Sequence, residues 1–170
     1  ITPRTAGFNT ANLTTMTGAG QAIIIVLMLI GGSPGSTAGG MKTTTFAVLL
    51  ATAFSIFRRK EDTQIFKRRV DNSVVRNAAT ILMMYIVLFF GGAIVISVAE
   101  GIPFGSCLYE TASAIGTVGL TLGITPQLGT LSQCVLMVLM FFGRVGGLTL
   151  IYAALSGTGK KLSKLPQEKI

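Results

Sequence analysis

Long apolar runs separated by short polar or glycine-rich stretches set the pattern of this chain of 170 residues. Residues 77–99 form an almost uncharged run of more than twenty residues, and residues 130–155 form a second, with one charge, Arg144, near its middle. About twenty apolar residues cross a hydrocarbon core of roughly 30 Å, so spanning helices are predicted over 77–99 and 130–156. A third apolar stretch is divided. Residues 16–30 and residues 46–57 flank Gly31, Gly32, Ser33, Pro34, Gly35, Ser36, Thr37, Ala38, Gly39 and Gly40. Five glycines and one proline in ten residues do not sustain a regular helix. The two halves are either separate short elements or one broken membrane helix over 13–57 with an intramembrane loop at 31–40.

Between the two long runs lies a shorter pattern. Residues 104–115 are small or apolar at most positions, too few to span and suited to a re-entrant helix, with Ser106 as a candidate cap. Gly116, Thr117, Val118, Gly119, Leu120, Thr121, Leu122 and Gly123 follow as a strand-like run, closed by Thr125-Pro126. Short helix, extended glycine-bearing segment and spanning helix together read as a pore hairpin. The N-terminal Arg4-Thr5-Ala6-Gly7-Phe8-Asn9-Thr10 repeats the second part of it. Aligned on Thr-x-Gly, both segments carry Thr, a small or apolar residue, Gly and a large apolar residue, and each precedes an apolar run at a similar distance.

Charge adds direction. Half of the residues are hydrophobic and 12% are charged, about half the charge of a soluble domain. Residues 58–76 hold seven basic and three acidic residues, and Lys160, Lys161, Lys164 and Lys169 lie in the tail, whereas residues 100–128 have no Lys or Arg. The positive-inside rule puts the basic linker at 58–76 and the tail at 157–170 in the cytoplasm and the Glu100 region outside. The net charge of +8 is thus topological, and docking of a cytosolic partner on the linker is a secondary reading. With no His and two Cys, a His proton shuttle and a four-ligand Cys/His zinc site are excluded. No nucleophile stands beside a base and no carboxylates pair, so an enzyme is not expected. The chain starts at Ile1 without a targeting peptide and reads as a piece of a longer one.

The chemistry that suits such hairpins is passage of a dehydrated monovalent cation. Inward carbonyls on extended backbone can line a pore, and glycine supplies the dihedral angles that aim them together. Irregular backbone at membrane depth survives where it is buried in protein or lines a water-filled cavity. The re-entrant helix directs its negative dipole end toward that cavity. Glu110 precedes the extended run by six residues, on the helix, and gives that run no carboxylate for a divalent ion.

Arg4-Thr5-Ala6-Gly7-Phe8-Asn9-Thr10, the GGSPGSTAGGMKT segment, Glu110-Thr111-Ala112-Ser113-Ala114-Ile115-Gly116-Thr117-Val118-Gly119-Leu120 and Phe141-Phe142-Gly143-Arg144-Val145-Gly146 resemble the Trk/Ktr/HKT superfamily of potassium transporters, nearest to the bacterial Ktr membrane subunit. The resemblance implies an all-α transmembrane fold of helix–re-entrant pore loop–helix repeats, here the third and fourth of a four-repeat pseudo-tetrameric pore. It implies potassium filter strands at Thr5, Ala6, Gly7 and Phe8 (within 1–12) and at Thr117, Val118, Gly119 and Leu120 (within 116–123). The fourth repeat would occupy 77–156, with a pore helix at 104–115. Residues 31–40 match the intramembrane gating loop beneath the filter, and Arg144 matches an arginine near that loop. Also implied are potassium uptake at the cell membrane, sodium as activator or coupling ion, a homodimer in the lipid bilayer and a cytosolic ring of nucleotide-binding RCK-type regulatory subunits.

Arg144 has a physical rationale in the same place. A charge near the centre of a spanning helix costs roughly 2.5–3.5 kcal/mol on insertion scales, so it should face a polar interior, where carbonyls freed by the broken helix accept from its guanidinium. A purely structural tie between helices is the other reading. A different class, a secondary transporter with a broken-helix substrate site, predicts an inverted repeat and polar or acidic groups at the break. Here the two hairpins share one orientation, and the break lacks acidic residues. Gly91-Gly92 and Gly143 are expected at close helix contacts, and Lys42, just after the break, is expected to snorkel to water in preference to the other reading, a part in the gate. Gly157-Thr158-Gly159-Lys160-Lys161 fails as a phosphate loop, because Ala154 stands where the first Gly belongs.

Overall fold

The computed structural model describes residues 2–8, 12–36, 38–59, 64–65 and 68–145. Thr37, the end of the apolar run beyond Val145, the tail at 157–170 and parts of the linker and of the stretch at 1–12 lie outside the described residues.

Helices account for nearly all of the regular structure. Thr2–Ala6 is a short π-helical turn. α1 spans Gly18–Leu29, with the Thr17 hydroxyl accepting from the Gly20 amide at its start, and α2 spans Thr43–Phe57. α3 runs from Asn72 to Glu100, and α4 covers Phe104–Gly116. α5 covers Thr130–Val145. A two-residue antiparallel pair, β1 (Gln64–Ile65) and β2 (Arg68–Arg69), lies in the linker.

Among the described helices, α3 is the one long and apolar enough to cross a membrane, with 29 residues and a mean hydropathy of 2.6 over its best window. At 1.5 Å per residue it is about 43 Å long, more than a hydrocarbon core needs. It starts five residues before the apolar run because Asp71 holds the N-cap position and polar Asn72-Ser73 continue the winding. The Ser73 hydroxyl donates to Asp71 at 2.6 Å and holds that exposed carboxyl below the usual carboxylate range. Gly101, with φ of 65°, stops the helix by letting its amide reach the Ser97 carbonyl.

α4 lies at the centre, packed on α3, α5 and α1, while α2 rests on α3. The C-terminal part of α4 is buried from Tyr109 to Gly116. Its start differs from expectation: Pro103 holds the N-cap position and Ser106 lies inside the first turn, its amide donating to the Pro103 carbonyl. Proline has its φ fixed near helical values and no amide to satisfy, so it opens a helix without a side-chain cap. Gly116 closes α4, Thr117 follows as its left-handed C-cap, and the run beyond begins at Val118 instead of Gly116.

The main core joins Ile81, Tyr85, Ala93 and Ile96 of α3 to Cys107 and Ile115 of α4 and to Leu136 and Leu139 of α5. On the outer faces, Met83, Val87, Ile94 and Val98 of α3 and Met137, Val138 and Phe141 of α5 are exposed. A belt of this kind suits lipid and not water. Helix contacts rely on missing side chains. A Cβ at Gly143 would collide with the Ile115 carbonyl, and one at Gly92 would stand 2.7 Å from Leu139. Gly91 has nothing within 4 Å.

Gly143→Ala should therefore lower the thermal midpoint of detergent-solubilised protein, by overpacking worth about 1–3 kcal/mol. Gly91→Ala, where nothing stands in the way, should leave the midpoint unlowered and raise it slightly, since alanine is the better helix former.

Candidate functional site

The extended run after α4 is shaped by two left-handed residues, Thr117 with φ of 51° and Gly119 with φ of 87°. The first leaves the helix: the Thr117 amide donates to the Ala114 carbonyl at 3.1 Å and the Val118 amide to the Ser113 carbonyl at 2.9 Å. Val118 and Leu120 are both 4% exposed and plug into a second core with Met28, Phe89, Tyr109 and Ala112. Gly119 between them is exposed. Side-chain burial at alternate positions thus fixes the backbone against its own helix.

The N-terminal segment meets this run. A Cβ at Gly7 would stand 2.7 Å from the Val118 carbonyl oxygen and 3.9 Å from the Gly119 Cα. The structure therefore brings Gly7 and Val118–Gly119 into backbone contact, although they lie far apart in the sequence. Phe8 is 82% exposed. The segment departs from a continuous strand: Thr5 and Ala6 belong to the π-helical turn, and the irregular backbone after it begins at Gly7. Pro3 favours the start of such a turn. Gly7, with φ of 68°, ends it as its amide donates to the Thr2 carbonyl at 3.4 Å.

The glycine-rich break forms a closed loop between α1 and α2. The Met41 amide donates to the Leu29 carbonyl at 3.2 Å, the Gly31 amide to the Met41 carbonyl at 2.8 Å and the Thr43 amide to the Gly32 carbonyl at 3.3 Å. Gly31 is required here, because a Cβ would strike the Gly39 carbonyl. At the exposed tip, Ser33-Pro34-Gly35-Ser36 turns with Gly35 at φ of 84° and the Ser36 amide donating to the Ser33 carbonyl at 3.0 Å, the arrangement of a type II turn. The other limb lies buried under the extended run. The Gly39 amide donates to the Thr117 hydroxyl at 3.0 Å, and a Cβ at Gly39 would collide with the Thr117 side chain. Ala38 and Gly40 flank this contact.

Two features escaped the sequence. Lys42 has acceptors within the loop: its ammonium donates to the Ser36 carbonyl at 3.3 Å and to the Ala38 carbonyl at 2.5 Å, tying the loop to the start of α2. A lysine beside freed loop carbonyls finds acceptors without snorkelling. Glu110 is 4% exposed and is the one buried carboxylate among the described residues. It accepts from the hydroxyls of Thr121 and Thr125 and from the Leu122 amide. A Thr-x-x-x-Thr spacing following a Glu on the preceding helix was the signal available. Arg144 sits in the last turn of α5, exposed and next to Gly143, which rests on the α4 carbonyl of Ile115.

Chemically, the site is a set of main-chain and hydroxyl oxygens at the C-terminal, negative end of α4. A cavity of about 460 Å³ opens beside it, lined by Ser113, Thr117, Gly119, Thr121, Leu136 and Met140 among others. Among the described residues no group of three His, Cys, Asp or Glu side chains is placed to hold a metal ion. Oxygen donors of this kind suit a hard cation.

Comparison with known proteins gives a consistent result. The family model TrkH, described as a cation transport protein, matches residues 1–162. The Ktr system potassium uptake protein B of Bacillus subtilis is 39% identical over 153 residues, covering 90% of this chain and 34% of that protein. The potassium/sodium uptake protein NtpJ of Enterococcus hirae is 38% identical, covering 100% of this chain and 39% of its own length. The Ktr system potassium uptake protein B of Vibrio alginolyticus is 36% identical, with coverages of 98% and 36%. The chain thus spans 34–39% of the length of these curated relatives.

The loop contact has a direct readout. Thr117→Val keeps the side-chain shape and removes the acceptor, so hydrogen exchange at the Gly39 amide should quicken about tenfold, the worth of one hydrogen bond. Unchanged exchange would show that the Gly39 amide does not depend on Thr117.

Proposed function

Because the chain belongs to the TrkH family of cation transport proteins, we propose that it supplies part of a potassium-selective pore in the cell membrane. Residues 5–8 and 117–120 are two of four filter strands, those of the third and fourth repeats of a pseudo-tetrameric pore. The observation that carries the reading is a double convergence: Gly7 rests against the Val118 carbonyl, and the loop at Gly39 rests against Thr117. Two oxygen-bearing segments meet, and an irregular loop lies beneath one of them.

Each part then has a physical task. Potassium entering the filter exchanges hydration oxygens for carbonyls of the two segments, with the α4 dipole lowering the energy of positive charge at that end. The loop at residues 31–40 obstructs the path below. Its hydrogen bond to Thr117 and the Lys42 tie hold it in the obstructing position. Arg144 stabilises the obstructed state by adding positive charge near the path. Movement of the loop opens the way.

The wider assembly follows the resemblance and the names of the relatives. Potassium is the cargo and sodium an activator or second ion. The pore works as a homodimer on a cytosolic ring of nucleotide-binding subunits, with the linker at 58–76 and the C-terminal tail facing the cytoplasm.

Ion uptake by the full-length transporter tests these assignments. Gly119→Ser, which strains a left-handed backbone position, should lower the preference for potassium over sodium by about tenfold or more, a cost of about 1.4 kcal/mol. Undiminished preference removes Gly119 from the filter. Shortening the loop at 31–40 should raise flux, and unchanged flux argues against gating. Arg144→Ala should alter flux at constant membrane abundance, whereas a change in abundance alone would mark Arg144 as a helix tie.

A further inference from the structure

We infer that Glu110 is the positioning residue of the second oxygen-lined segment: its carboxylate clasps the chain just beyond Leu120 and so sets the spacing at which that segment's carbonyls meet a dehydrated monovalent cation. The inference rests on the pore reading above and adds to it a residue outside the filter.

Burial makes Glu110 informative. A carboxylate that is 4% exposed is costly unless its oxygens are fully engaged. Glu110 meets that demand with donors from one short stretch. Its Oε1 accepts from the Thr121 hydroxyl at 2.6 Å and from the Leu122 amide at 2.9 Å, and its Oε2 accepts from the Thr125 hydroxyl at 2.8 Å. The stretch is also organised within itself. The Gly123 amide donates to the Thr121 hydroxyl at 2.9 Å, and the Thr121 and Thr125 hydroxyls lie 2.9 Å apart.

The position of the clasp decides what it does. Residues 117–120 leave α4 at one anchor, where the Thr117 and Val118 amides bond to the Ala114 and Ser113 carbonyls. They end at a second anchor, Glu110, on the same helix. Six residues separate Glu110 from the end of α4 at Gly116, a rise of about 9 Å. The segment is therefore held at both ends by one rigid rod. Val118 and Leu120 point into the core behind it, which leaves its carbonyls as the adjustable part. Both carboxylate oxygens accept from residues 121–125, so the role inferred for Glu110, which also lines the adjoining cavity, is to act through the backbone it holds. Selection among alkali ions, whether by fit or by ligand number, requires that the oxygens not collapse onto a smaller ion. A two-point anchor resists that collapse.

The test uses the full-length transporter in lipid vesicles, with potassium uptake measured against sodium and membrane insertion measured alongside. Glu110→Ala should lower the preference for potassium about tenfold, the effect of losing a charge-assisted hydrogen bond. Thr121→Val combined with Thr125→Val, which leaves the carboxylate in place, should do the same. Glu110→Gln should retain most of the preference. Its amide oxygen still accepts from Thr121 and Leu122, and its NH₂ can donate to Thr125, whose hydroxyl then turns to Thr121.

Unchanged preference in the Ala and double Val variants at normal insertion overturns the inference. So does a Gln variant as impaired as Ala, which would make the charge itself the requirement. Should Glu110→Ala fail to insert, the double Val variant decides. A wild-type transporter that carries no potassium would overturn the pore reading itself, whereas wild-type preference with unaffected variants would overturn this inference alone.

Discussion

Main chain touching main chain is the condition on which the structure depends. Around the C-terminal end of α4, four glycines stand where a methyl group would collide with a neighbour. Gly7 faces the Val118 carbonyl, Gly39 faces the Thr117 side chain, Gly116 faces the Met28 carbonyl and Gly143 faces the Ile115 carbonyl. Each glycine costs roughly 0.5–1 kcal/mol of conformational entropy relative to alanine. The contacts gather α1, α5, the loop at 31–40 and the N-terminal segment onto one helix end. An unpaired peptide group has no water to turn to in an apolar interior, so the irregular backbone persists only because helices surround it.

Two carboxylates complete what the glycines begin. Glu100, at the end of α3, accepts from the Gly129 amide at 2.8 Å and from the Ser132 hydroxyl at 2.6 Å. It thereby caps the start of α5 from another helix, where a negative charge is favoured by the dipole. Glu110 draws residues 121–125 onto α4. Between them, these acids hold the connection from α4 to α5, whose one regular piece is a short 3-10 turn at Thr125–Gln127. Burial of apolar side chains gives the unit its mass, and the acids give it register.

Much of this was legible where the signal is local. The α3 run announces itself by length and hydropathy, and the lack of helix between α1 and α2 follows from five glycines and a proline within ten residues. The paired Thr-x-Gly segments drew attention to Gly7 and Gly119 because their residue types repeat. What stayed hidden depends on partners remote in sequence. Glu110 reads as one more helical residue until Thr121 and Thr125 fold back onto it. Lys42 reads as a snorkelling cation until Ser36 and Ala38 turn their carbonyls toward it. Nothing in the pattern distinguishes Gly39 from Gly40, yet Gly39 alone of the two donates to Thr117. The π-helical turn at Thr2–Ala6 was missed because Thr-x-Gly suggests extension, whereas Pro3 governs the winding before it.

The meeting of Gly7 with the Val118 carbonyl also bears on how this chain can vary. A bulkier residue at position 7 is barred by an atom supplied from the far half of the molecule, and any shift of the peptide at 118 alters what position 7 tolerates. The two Thr-x-Gly segments, however alike in sequence, are therefore not independent of each other. They form a single mutational target, in which a change accepted by one half is licensed or vetoed by the other.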